Sequence, residues 1–127
     1  MVALAVTPKL VVNNARQALD YYVRTLGAQV EERHEDGGRI VHSQLRLGPT
    51  AVQVKDADAV DDDPLRLGRP GVLLQLIVAD PDKVARAMVD AGGEYVFEVA
   101  DREYGARAGR VKDPFGHEWL VQTPRTA

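Results

Sequence analysis

Three histidines, His34, His42 and His117, and the run Asp61-Asp62-Asp63 are the residues of this chain that first suggest a cation site. Imidazole nitrogen and carboxylate oxygen are common ligands of divalent metals. The histidines are scattered, however. His34 falls at a strand end, His42 in a middle strand and His117 in a turn, so with nearby acids they would make only an unorthodox site. The aspartate triplet lies in a polar stretch and reads as a solvated loop before it reads as a cation site. Glu118, His42 and Lys55 are acid–base candidates if burial shifts their pKa values; the alternative for each is a solvated strand residue. The chain has no cysteine, which excludes a thiolate site, a cysteine nucleophile and a disulfide frame. No nucleophile–base pair and no phosphate-cradling glycine loop is present. The Gly105-x-Arg107-x-Gly109 pattern is too weak to indicate anion binding.

The composition supports a folded domain. A hydrophobic fraction of 45% and a charged fraction of 28% over 127 residues suffice for one core. A net charge of −3 gives no footprint for nucleic acid. No apolar run approaches the ~20 residues that span a bilayer, so no membrane partner is expected. The opening Met1 to Thr7 is apolar but lacks the basic start of a signal peptide. A cytoplasmic location is the default expectation.

The elements that must position these side chains follow from periodicity. Lys9 to Val12 reads as a strand. Asn13 or Asn14 can cap a helix whose apolar stripe is Ala15, Ala18, Leu19, Tyr22 and Leu26, with Gly27 ending it. Strands are expected at Ala28 to Arg33, Ile40 to Leu47 and Ala51 to Lys55. Residues 57–70 read as a linker loop. The pattern then restarts, with a strand at Val72 to Val78 and a helix opened by Asp80-Pro81. Val84, Ala87, Met88 and Ala91 are its stripe, and Gly92-Gly93 end it. Strands follow near Glu94 to Val99, Ala108 to Lys112 and His117 to Gln122. Sliding the first half by 66 positions brings Leu10 onto Leu76, Val12 onto Val78, Asn14 onto Asp80 and Gly27 onto Gly93. The expected architecture is therefore a single α+β domain over residues 1–127. It has two tandem βαβββ units, about 5–56 and 71–124, forming a cupped mixed sheet with function between them.

Strand alternation sorts the side chains by face. Leu73, Gln75 and Ile77 share one face of their strand, Glu118, Leu120 and Gln122 of theirs, Gln53 and Lys55 of theirs, and His42, Gln44 and Arg46 of theirs. This set mixes amides, apolar groups and a few charges. It suits either a solvated outer face or the wall of a ligand cleft.

The tandem units, together with the stretch from Asp101 to Trp119, resemble the glyoxalase/bleomycin-resistance/extradiol-dioxygenase superfamily, the vicinal oxygen chelate proteins. Tyr104-Gly105-x-Arg107-x-Gly109 and Asp113-Pro114-Phe115-Gly116-His117-x-Trp119 are similar to the PhnB-like branch. So are the opening Thr7 to Ala15, Tyr21-Tyr22 and Leu26-Gly27-Ala28. The resemblance implies that Asp-Pro-Phe-Gly is a tight turn, that Trp119 packs the core and that His117 bonds backbone.

In metal-using members of that superfamily the ligands come from the first and fourth strands of each unit. The resemblance carries those positions onto Thr7, Gln53, Leu73 and Leu120, none of which is a charged or imidazole ligand. It therefore implies no metal and no other cofactor. The expected function is metal-free binding of a small molecule with an aromatic or apolar body, drug or natural-product sequestration being the narrower form. A metal-independent or unorthodox-metal enzyme, such as a lyase or isomerase on a small organic substrate, is the alternative, and a structural or regulatory partner protein is a third reading. Expected ligand contacts are Thr7, His42, Gln53, Leu73, Gln75, Tyr104, Arg107 and Leu120. Arg107 can instead pair with a neighbouring acid and Tyr104 merely pack. Gln53 and Gln75 both donate and accept, which suits an uncharged polar ligand. A homodimer is the expected assembly.

Overall fold

The computed structural model describes residues 3–125; Met1 and Val2 of the apolar opening stretch lie outside them. The chain forms two compact units, Met1–Asp63 and Pro64–Ala127. In the first, β1 (Lys9–Val12), α1 (Ala15–Leu26), β2 (Gln29–Asp36), β3 (Arg39–Leu47) and β4 (Thr50–Asp56) follow in sequence. In the second, α2 (Pro64–Leu67) precedes β5 (Leu73–Ile77), α3 (Pro81–Asp90), β6 (Glu94–Asp101), β7 (Arg107–Lys112) and β8 (Glu118–Gln122). Each unit holds a four-stranded mixed sheet, ordered β1-β4-β3-β2 and β5-β8-β7-β6. The identical order is the structural counterpart of the sequence repeat.

Local chemistry sets the helices. Asn14 accepts the Gln17 amide at 3.0 Å and Asp80 accepts the Lys83 amide at 3.2 Å, the same cap at equivalent places. Asp56, at the end of β4, accepts the amides of Ala15 at 2.7 Å and Ile40 at 2.8 Å, joining the start of α1 to β3. Gly27 ends α1 at φ 68°, a conformation that favours glycine. The equivalent left-handed residue after α3 is Gly92, one place earlier than the repeat anticipates. In α3 the buried residues are Pro81, Ala85 and Met88, so Ala85 rather than Ala87 carries the centre of the apolar stripe.

α1 packs on β3 and β4, burying Leu19 and Tyr22 with Leu10, Val12, Leu45, Val52 and Val54. α3 packs on β6, β7 and β8 and covers Val111, Trp119 and Val121. The stretch expected to be a linker is only partly one. Its second half forms α2 within the second unit, and a Cβ on Gly116 would sit 3.0 Å from Pro64 and 3.1 Å from the Leu65 amide. In the first half, the Lys55 ammonium bonds Asp58 at 2.8 Å and Asp61 at 2.6 Å. The acidic run is thus partly tied down, and Asp63 is buried. Among the described residues no helix is long and apolar enough to cross a membrane.

Candidate functional site

Each sheet has a face opposite its helix, and the alternation read from sequence assigns the side chains to it. In the first unit this open face is polar and internally bonded. Lys9 pairs with Gln53 across β1 and β4, and Gln53 pairs with Gln44 across β4 and β3. Gln53 Nε2 donates to Gln44 Oε1 at 3.2 Å, and Gln44 Nε2 donates to Glu31 at 3.1 Å. Arg46 grips Glu31 through Nε at 2.9 Å and Nη2 at 3.1 Å. Those bonds hold the Glu31 carboxyl below, and the Arg46 guanidinium above, their ordinary ranges. A register shift in β2 between Val30 and Glu32 lets Glu31 and Glu32 both serve this face.

His42 lies in the same ladder. Its Nδ1 is 3.3 Å from Lys9 Nζ and its Nε2 is 3.1 Å from Glu32. An ammonium only donates, so Nδ1 accepts from it and Nε2–H donates to the carboxylate. Both ring nitrogens are occupied, and the ring stacks on His34 at 5.7 Å. Lys9, Glu31 and Glu32 were not among the residues anticipated; carrying the alternation into β1 would have found Lys9, whereas the shift in β2 hides the glutamates.

The second unit differs. Leu73, Gln75 and Ile77 project from β5, with Leu73 43% and Ile77 50% exposed. Gln75 pairs with Leu120, and Leu120 with Arg110 of β7. Arg110 in turn pairs with Phe97 of β6. The Arg110 and Arg102 guanidiniums lie 5.3 and 5.0 Å from the Phe97 ring centre. Where β5 begins, residues 68–73 together with Arg110 and Glu118 line an open recess of about 490 Å³.

The remaining expected contacts fall elsewhere. Arg107 shares the helix-side face with Gly109 and Val111, and its guanidinium bonds Asp82 of α3 at 2.7 and 2.8 Å and Asp101 at 3.3 Å. The structure therefore separates Arg107 from Leu73, Gln75 and Leu120, and the pairing with a neighbouring acid is the arrangement it adopts. Those bonds raise the Arg107 pKa and hold Asp82 below its usual range. Tyr104 is an exposed turn residue between β6 and β7, 5.9 Å from Arg125. Thr7 is exposed and precedes β1, so Lys9 rather than Thr7 is the strand partner of Gln53.

The Asp113–Trp119 turn is built around one side chain. Asp113 is 2% exposed and accepts the Phe115 amide at 2.9 Å, the His117 amide at 3.0 Å and Trp119 Nε1 at 2.9 Å. Its aspartate thus locks the turn to the core tryptophan.

The sequence model of the Glyoxalase/Bleomycin resistance protein/Dioxygenase superfamily matches residues 3–121. The chain belongs to this superfamily. It is 34% identical to an uncharacterised protein of Mycobacterium bovis over 94% of this chain and 83% of that one. In structure it is similar to TioX from Micromonospora sp. ML1, with a TM-score of 0.73 at 23% identity over 95% of this chain and 98% of that one. It is also similar to PA1353 from Pseudomonas aeruginosa, with a TM-score of 0.76 at 23% identity over 98% and 100% of the two chains. At that identity the two structures speak to the fold alone.

The four residues that the resemblance carries onto metal-ligand positions, Thr7, Gln53, Leu73 and Leu120, do not fit a divalent ion. Leu73 and Leu120 have no donor atom, Thr7 precedes the sheet, and Gln53 is neutral and bonded to Gln44. Among the described residues no three His, Asp or Glu side chains converge as a metal site.

Proposed function

We propose that this superfamily member is a metal-free binding protein for a small molecule with an aromatic or apolar body, sequestration of a drug or natural product being its narrower form. The observation that carries this reading is the open face of the second sheet. Leu73, Ile77 and Leu120 surround Gln75 there, the first two exposed and Leu120 partly so, where metal-using relatives would place charged ligands. Apolar walls with a few polar anchors are the usual make-up of a small-molecule site. A homodimer is part of the proposal. The test is a calorimetric screen of aromatic natural products against the parent, Leu120→Asp and a surface control, Lys83→Ala. Binding lost in Leu120→Asp and kept in Lys83→Ala supports the reading, because the aspartate removes apolar area from the face and sets a charged, hydrated group opposite Arg110 in its place. A folded Leu120→Asp that binds as tightly as the parent overturns it. About one dialysis-resistant metal ion per chain overturns the metal-free part, and a monomer at micromolar concentration in sedimentation overturns the dimer.

A metal-independent lyase or isomerase is the second reading. The Lys9–His42–Glu32 chain favours it, since a carboxylate that orients an imidazole is a common acid–base arrangement. Turnover of an identified ligand, lost in His42→Asn with binding retained, would establish it. Turnover unaffected by that substitution would dismiss His42.

A further inference from the structure

We propose that the recess at the start of β5 receives a carboxylate through Arg110, so that the ligand is an organic acid with a flat apolar body. This rests on reading the β5–β8 face as ligand-binding, and it replaces the uncharged ligand anticipated from sequence with an anionic one.

The argument begins with an orphaned donor. Among the described residues, Arg110 Nε is buried with no hydrogen-bond partner. A buried N–H without an acceptor is costly, so a persistent one calls for an occupant. The nearest acid does not supply it. Glu118 lies 3.7 Å from Arg110 Nη1, longer than a charge-assisted hydrogen bond. The Phe97 ring holds the guanidinium 5.3 Å from its centre by a contact that consumes no N–H. Arg102, over the same ring, shows the contrast. Its Nε donates to the Ala108 carbonyl at 3.0 Å and its Nη2 to the Glu98 carbonyl at 2.7 Å, so it is an anchor.

The recess also has the right charge and size. Arg69 and Arg110 oppose the single acid Glu118 in its lining, an excess of one positive charge. About 490 Å³ is within the range of drug-sized ligand sites. Among anions, a carboxylate matches the planar fork of an arginine, its two oxygens taking Nε–H and one Nη–H together once the guanidinium, which Glu118 holds only at 3.7 Å, turns its covered Nε–H toward the recess. Leu73 lines the same recess and continues onto Gln75 and Leu120, which places apolar surface beside the head group.

The test compares two isosteric probes, 2-naphthoate and 2-naphthamide, by calorimetry against the parent, Arg110→Gln and Leu120→Asp. The parent is expected to prefer naphthoate by about tenfold, as for a charged hydrogen bond over a neutral one. Added salt should weaken naphthoate alone, and Arg110→Gln should bring naphthoate down to the level of naphthamide. Equal affinities in the parent, the result if a water satisfies Nε, overturn the proposal; if both probes are lost together in Leu120→Asp, the apolar face stands without it. A preference that vanishes in Arg110→Gln but survives Leu120→Asp supports the carboxylate site and removes the apolar face instead. No binding of naphthoate at millimolar concentration overturns the proposal, with the Leu120→Asp natural-product screen deciding the broader reading separately. The parent comparison decides the matter even if Arg110→Gln fails to fold.

Discussion

Asp113 offers the sharpest check on the structural reasoning. One carboxylate, 2% exposed, accepts two backbone amides and the indole N–H of Trp119 at 2.9–3.0 Å. Replacing it with asparagine keeps the shape but turns one oxygen into an NH₂ group. In one orientation that group faces Trp119 Nε1–H; in the other it faces the amides of Phe115 and His117. Either way a buried donor meets a donor and the charge assistance is lost. An unsatisfied buried group costs about 1–3 kcal/mol and a hydrogen bond to a charged group contributes about 1.5–3 kcal/mol. Asp113→Asn should therefore cost about 3 kcal/mol, and Asp113→Ala, which removes the acceptor for all three donors, about 4–5 kcal/mol. For a chain of this length 3 kcal/mol lowers Tm on the order of 10 °C. The chain has a single tryptophan, Trp119, so its fluorescence in a urea titration reports unfolding beside the mutated site. A midpoint for Asp113→Ala within about 1 kcal/mol of the parent would refute the claim that this carboxylate organises the turn.

Further outcomes are expected. A methyl group on Gly109 would meet Val99 Cγ2 and the Val99 amide nitrogen at 2.8 Å, so Gly109→Ala should lose about 1–3 kcal/mol in denaturant titration. Gly71→Ala, with open space around it and no left-handed backbone, should be neutral. Lys55 and the amides of Asp61 and Val60 hold the Asp58 carboxyl well below its ordinary range. Because the folded value is depressed, its stabilising contribution is full above about pH 4 and is lost as pH falls through the folded value. An NMR titration should show Asp58 ionised at a pH where exposed aspartates are already protonated, and Lys55→Met should return it towards them. Arg107→Ala should lift Asp82 back towards the usual carboxylate range in the same titration while leaving ligand affinity unchanged; a large loss of affinity would restore Arg107 to the binding site.

The frame was legible because it rests on local rules. Alternation along Leu73–Ile77 and Glu118–Gln122, the Asn14 and Asp80 caps and the Gly27 stop each need only a few neighbouring residues. What stayed hidden depends on contacts between distant segments. Arg107 and Arg110 are three residues apart on one strand and face opposite sides of the sheet. Only the β7–β8 register shows that Arg110, and not Arg107, stands beside Leu120. Glu31 and Glu32 reach a common face through a register shift that no period of two anticipates. Asp113 was legible as part of a turn, but its bond to the indole needed the fold.

The repeat gives a reason for proposing the ligand face on the second unit and not on the first. The β3–β4 pair Gln44–Gln53 corresponds to the β7–β8 pair Arg110–Leu120. In the first unit the two amides bond each other, the chain continues to Glu31 and Arg46, and both nitrogens of the neighbouring His42 are engaged. A ligand arriving there must break bonds already made, gaining little from exchange. In the second unit leucine replaces glutamine and can bond nothing, so its arginine neighbour is left with a buried donor and no acceptor. The two units keep the strand order and the register of this pair but differ at both positions, arginine standing for Gln44 and leucine for Gln53. The hydrocarbon cannot bond the arginine, which leaves the second face with both apolar area and an unspent hydrogen-bond donor, the two things a proposed binding surface would hold in reserve.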